Sequence, residues 1–134
     1  MTDAPSRGTN PWADIVGTIY TADAFLRELR LTPAEVDEAA RDLHILQLET
    51  ADGHHVYPTF QVVNGHLIPG LSEVLDTLQR GIDDPWTWAQ WLCTYVDGAL
   101  GSHRARRRHI DALVAGDVAA VARAARAAAD SWAS

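Results

Sequence analysis

Two hydrophobic periods follow one another along this chain. Phe25, Leu26 and Leu29 fall on one helical face behind Thr21, whose hydroxyl suits a helix cap, and Leu31-Thr32 breaks the run. Thr32-Pro33-Ala34-Glu35 then has the form of a capping box with proline in the first turn, and Val36, Ala39, Ala40 and Leu43 line one face of the helix it opens. The spacing predicts two short helices with a tight junction. Upstream, Trp12, Ile15, Val16 and Ile19 stand at nearly helical spacing and predict a short anchoring helix behind a flexible tail, Met1 to Pro11.

After Leu43 the period shortens to two. Ile45, Leu46 and Leu48 read as a strand that ends at Asp52-Gly53, a hairpin signal, with His55 to Tyr57 pairing back. Phe60, Val62 and Val63 before Asn64-Gly65, with Leu67 and Ile68 beyond, repeat the pattern, while Pro58 and Pro69 confine pairing to sheet edges. Helical spacing then returns. Leu71, Val74, Leu75 and Leu78 form a stripe that stops at Gly81, and Asp84-Pro85-Trp86 opens a helix with Trp88, Trp91 and Leu92 as its apolar positions. Gly98 and Gly101 mark a loop. Ile110, Leu113 and Val114 lie on a helix closed by Gly116, and Asp117 caps a last, alanine-rich helix with Val118, Val121, Ala122 and Ala125 on a narrow face. The expectation is a mainly α chain of the α+β class. Residues 1–20 are its tail and anchoring segment, 21–70 a helix-turn-helix-like lobe with a β-hairpin, and 71–134 a helical bundle.

Charge divides the chain in a similar way. The net charge is -7, but residues 1–101 carry five Arg against fifteen acids, whereas residues 102–134 carry six Arg against three. Whole-chain acidity opposes strong nonspecific DNA binding, so any contact with DNA has to rest on a local patch. All basic side chains other than His are Arg, and alanine is abundant, a bias that marks a GC-rich bacterial genome. The single cysteine, Cys93, excludes an internal disulfide and reads as buried filler. No apolar run reaches the roughly 18 residues of a membrane span, and Met1 to Asn10 lacks a signal-peptide core, so the expectation is a cytoplasmic protein without membrane contact.

Chemistry is absent from the motifs. There is no glycine-rich phosphate loop and no nucleophile elbow, and Asp83-Asp84 is better explained as a helix cap than as an acid/base pair. His54 and His55 are neighbours on a strand and point to opposite faces, while the other four histidines lack a spacing that would put two ligands on one helical turn. We therefore expect no enzyme, no metal and no cofactor.

Tyr57-Pro58-Thr59-Phe60-Gln61, then Asn64-Gly65 and Pro69-Gly70-Leu71 before a leucine-striped helix, then Asp84-Pro85-Trp86 and Trp91-Leu92, resemble the C-terminal toxin-binding domain of Xre/MbcA/ParS-type antitoxins. Ile110-Asp111-Ala112-Leu113 and Gly116-Asp117-Val118 with the alanine-rich helix are similar to that domain's end, so the resemblance covers roughly residues 57 to 130. It implies a C-terminal toxin-binding bundle and a partner rather than a reaction: a RES-domain toxin that consumes NAD, neutralised by occlusion of its active site. Relatives often carry an N-terminal helix-turn-helix, and the Ala22 to Leu43 helices with the Asp52-Gly53 hairpin are similar to one with a wing. Where relatives reach the penultimate helix through a proline, this chain has the longer, basic stretch Ser102 to His109.

For the toxin-binding role, Trp132, Arg123 and Arg126 are the expected contacts, with Trp132 as an anchor that enters a partner and self-docking as the alternative. Arg104, Arg106, Arg107 and Arg108 have three open readings: nucleic acid, an acidic partner rim, or the chain's own acidic lobe. Trp86, Trp88 and Trp91 are split between recognition and core, with at least two in the core. The alternative function is a DNA-binding regulator of its own operon, in which Arg41 and Glu38 of the second helix point outward to operator DNA, although Glu35, Asp37, Glu38 and Asp42 oppose phosphates there. An interaction module for some other partner is a third. The narrow alanine face and the tryptophans also point to a homodimer or hetero-complex.

Overall fold

Local side-chain caps set the ends of the first elements. In the computed structural model, which describes residues 17–95 and 107–133, strand β1 (Ile19–Thr21) runs straight into helix α1 (Ala22–Leu29). The Thr21 side chain accepts from the Ala24 N–H at 3.3 Å. Arg30, in the left-handed region at φ 58°, ends α1 by donating its N–H to the Leu26 carbonyl. Helix α2 (Pro33–Arg41) opens on a complete capping box: the Thr32 hydroxyl accepts from Glu35 N–H, and the Glu35 carboxylate accepts from Thr32 N–H at 2.9 Å.

Ile19 is the first correction. It does not continue a helix but sits in β1, paired antiparallel with β3 (His55–Pro58) in the register Ile19↔Pro58, Tyr20↔Tyr57, Thr21↔Val56. The partner lies almost forty residues downstream, where a local period cannot register it. Trp12, Ile15 and Val16 lie outside the described residues. The strand expected from Ile45 is also shorter, since β2 is only Leu48–Glu49, paired with Val56 and His55 across the Asp52-Gly53 turn. The sheet order is β1-β3-β2, so β3 is the central strand rather than an edge. Pro58 is tolerated there because β2 stops opposite His55 and Val56, leaving the proline paired on one side only. A second hairpin, β4 (Val62–Val63) and β5 (His66–Leu67), turns through Asn64 and Gly65, both at positive φ as a tight two-residue turn requires.

The helical half is built from α3 (Leu71–Gly81), α4 (Pro85–Leu92), α5 (His109–Val114) and α6 (Val118–Ala133). Asp84 caps α4, accepting from the Trp86 N–H and the Thr87 hydroxyl. Helix α6 packs along α3 through Val121, Ala122, Ala125 and Ala129. The approach is close: a Cβ on Gly81 would lie 2.5 Å from the Ala129 backbone. The narrow alanine face is therefore used within the chain, which removes it as a sign of a dimer.

Two apolar clusters result. The smaller joins Phe25, Val36, Ile45 and Tyr57 within the helix pair and sheet, with the Phe25 and Tyr57 rings stacked at 4.2 Å. The larger unites the helical half with Leu46, Leu48 and Val56 of the N-terminal half, so the two lobes share one core. Between the clusters lies Gln61, fully buried at the end of a 3-10 turn (Thr59–Gln61). Its Oε1 accepts from Leu46 N–H at 2.8 Å, and its Nε2 donates to the carbonyls of Leu46 (3.0 Å) and Pro58 (3.1 Å). The chain is mainly helical with small antiparallel sheets, an α+β fold, and among the described residues no helix is long and apolar enough to cross a membrane.

Gln61→Leu keeps the side-chain volume but strands the Leu46 N–H and carbonyl in the core. Each buried group left without a partner costs about 1–3 kcal/mol. The expected loss is about 2–4 kcal/mol in urea unfolding, with a lower midpoint and an unchanged m-value.

Candidate functional site

The segment Ile19 to Pro58 has the order strand, helix, turn, helix, strand, turn, strand, with sheet order β1-β3-β2. Two short helices joined by a tight turn are thus followed by the β2–β3 hairpin. Burial of Val36, with Ala39 and Ala40 partly covered, fixes which side of α2 is inward. Ala34, Glu38 and Arg41 project from the opposite side, and all three are exposed. Glu35, Asp37 and Asp42 are exposed on the flanks, so this face carries more negative than positive charge. Glu35 is already engaged by its own cap.

The β2–β3 turn is structured. Thr50 N–H donates to the His54 carbonyl at 2.8 Å, Gly53 N–H to the Thr50 carbonyl at 2.9 Å, and the Thr50 hydroxyl bonds the Asp52 carboxylate. That hydroxyl, with His54 Nδ1 at 3.2 Å, holds the Asp52 carboxyl below its ordinary value. The base of this hairpin is tied to the helical half, because the Trp86 indole N–H donates to the Glu49 carbonyl at 2.9 Å. Beside α1, a polar concavity of about 590 Å³ is lined by Arg27, Glu28, Leu29, Arg30, Asn64, Gly65 and His66. Sequence reasoning missed this group. The three-residue spacing of Arg27 and Arg30 was visible, but only the fold brings His66 to them.

The C-terminal candidates are placed differently from one another. Arg123 and Arg126 are exposed on α6, and neither makes an ion pair among the described residues. Trp132 is half-buried and packs on the main core, as does Trp86, while Trp88 is buried within it. Arg107 donates to Asp117 at 2.7 Å, and Arg108 grips both oxygens of Asp111 at 3.1 Å. These arginines thus meet acids of the helices that follow rather than those of the N-terminal lobe. Arg104 and Arg106 lie outside the described residues. Hydrogen bonding to Asp111 raises the Arg108 pKa, and the same contact lowers that of Asp111. Trp91 stacks on His109 with ring centroids 3.8 Å apart, and Cys93 beside them is buried, its thiol pKa raised by that burial. Among the described residues no group of three or more His, Cys, Asp or Glu is placed to hold a metal.

Burial pushes the His109 pKa below its ordinary 6.5. A depressed folded value means that the unfolded chain takes up the proton first, so this contribution is full above 6.5 and is lost as pH falls through the folded value. Asp111, whose pKa is lowered from 3.8, acts only in more acidic solution. The urea midpoint is expected to drop between pH 7.5 and 5, and His109→Phe, which keeps a ring on Trp91, should show a shallower drop.

No protein-family profile and no curated protein matches the chain. Among solved structures the chain is similar to the NMR structure of Rv2175c, with a TM-score of 0.66, 23% sequence identity, and coverage of 84% of this chain and 81% of that one. At that identity the likeness is one of fold.

Proposed function

We propose that the N-terminal half is a sequence-selective DNA-binding domain, with α2 entering the major groove and the β2–β3 turn lying against the neighbouring backbone as a wing. The observation that carries this reading is the strand order β1-β3-β2 with the helix pair inserted between β1 and β2. The face of α2 that carries Ala34, Glu38 and Arg41 is exposed, as are Gly53 and His54 of the turn. The charge on α2 then decides the kind of binding. Its carboxylates repel phosphates, so sequence-independent affinity is low and selection falls to base edges. On the outward face, a carboxylate at Glu38 suits the cytosine amino group and a guanidinium at Arg41 suits the acceptor edge of guanine.

Selection from a randomised duplex pool, followed by anisotropy titration at several salt concentrations, tests this. An enriched motif and salt-sensitive binding are expected. Arg41→Ala should weaken binding to that motif by about 1–3 kcal/mol and relax preference at one position. Glu38→Gln should alter preference at a different position. Absence of salt-sensitive binding to any duplex would refute the reading.

A second reading gives the C-terminal half the neutralisation of a RES-type toxin. It is favoured by Arg123 and Arg126, two exposed cations on one side of α6 without ion pairs among the described residues. Co-expression with the product of the adjacent reading frame should then give a stable complex and relieve growth arrest. Reversing both charges, Arg123→Glu with Arg126→Glu, should abolish the complex while leaving the fold intact; an unaffected complex would exclude these contacts.

A further inference from the structure

Arg27 and Arg30 stand three residues apart at the C-terminal end of α1, on neighbouring positions of its surface. Both are exposed, and neither makes a side-chain hydrogen bond or ion pair among the described residues. Opposite them the β4–β5 turn brings Asn64, Gly65 and His66 to the same concavity of about 590 Å³. The turn lies close, with a Cβ on Gly65 falling 3.8 Å from the Glu28 carbonyl oxygen. Arg27, Arg30 and His66 thus line one hollow together.

We propose that this hollow is a phosphate-binding site, in which Arg27 and Arg30 supply paired N–H donors and His66 a third. Guanidinium forks match phosphate oxygens and carry their charge at every physiological pH. Two opposing terms act in the hollow: the Glu28 carboxylate, and the negative end of α1, equivalent to roughly half a charge. Two full positive charges outweigh both. The helix end is also partly neutralised, because the N–H groups of Arg30 and Leu31 both donate to the Leu26 carbonyl. The residual positive balance is small, so the site depends on directed hydrogen bonds, which phosphate accepts and chloride cannot match. Arg30 lies two residues before the cap of α2. Assigning the phosphate to a DNA backbone rests on the DNA-binding reading; the chemistry of the hollow does not.

The test uses the full chain, labelled with 15N, in two arms. In the first, inorganic phosphate is titrated against sodium chloride at matched ionic strength. The Nε–H signals of Arg27 and Arg30 and the amides of Asn64 to His66 should move saturably with phosphate only, and those amides should not respond in the double variant R27A/R30A. A well-dispersed spectrum of the variant confirms that it folds. In the second arm, the salt dependence of duplex binding is compared for the two proteins. The magnitude of the negative slope of log K on log salt should fall by about 0.9 for each DNA phosphate that the variant no longer neutralises. A phosphate response without duplex binding, or with an unchanged slope, keeps the site and assigns it a free phosphate group; in the former case the DNA reading fails. A reduced slope without a response to inorganic phosphate keeps the site as a backbone contact. Duplex binding with an unchanged slope and no phosphate response overturns this inference and leaves the DNA reading standing. No response in either arm overturns both.

Discussion

The arrangement turns on one buried amide. Gln61 contributes a backbone carbonyl that accepts from Ile68 N–H, while its side chain closes on the Leu46 peptide from both sides. That peptide is where the chain passes from one core to the other. Ile45 belongs to the smaller cluster under the helix pair, and Leu46 belongs to the larger one under the helical half. Without Gln61 the donor and acceptor of Leu46 would face apolar side chains with no water to satisfy them, a condition folded proteins avoid. With it, the segment between α2 and β2 is fixed in position, and the angle of the helix pair to the bundle follows. The Trp86 indole, bonded to the Glu49 carbonyl, fixes the other end of β2 in the same way.

What the sequence made legible was local. Thr21, the Thr32 to Glu35 box, Asn64-Gly65 and Asp84-Pro85 each act within about three residues of their partners, so type and order of residues suffice to place them. The stripe from Leu71 to Leu78 was equally plain, because its burial follows a helical period. Long-range facts were hidden. Nothing near Ile19 announces a partner at Pro58, and the amide of Gln61, polar and beside a turn, looks like a surface group until Leu46 is brought to it. The alanines of α6 are ambiguous for a similar reason. Small side chains permit close approach to any helix, and only Gly81 opposite Ala129 shows that the neighbour is α3 of the same chain.

The candidate site was legible in part. That Arg41 and Glu38 face outward follows from the position of Val36 in the helical period, and the structure exposes both. Neither the concavity beside α1 nor the engagement of Arg107 by Asp117 could be read, since each depends on elements meeting in space, whereas Arg108 and Asp111 stand three residues apart and pair within one turn. Shape and charge then pull in different directions on the N-terminal half. The strand order leaves a helix and a wing exposed together, while the acids of α2 weaken any attraction to phosphate. On the proposed DNA-binding reading, backbone affinity has to come from outside α2, and Arg27 and Arg30 of α1 are exposed there.

DNA reading by α2 and the wing is tested most directly by a map of amide shifts on the 15N-labelled chain as a selected duplex is added. The largest changes are expected on Ala34, Glu38 and Arg41 of α2 and on Gly53 and His54 of the wing, with Arg123 and Arg126 unmoved. Changes concentrated on α6, with α2 and the wing silent, would contradict it.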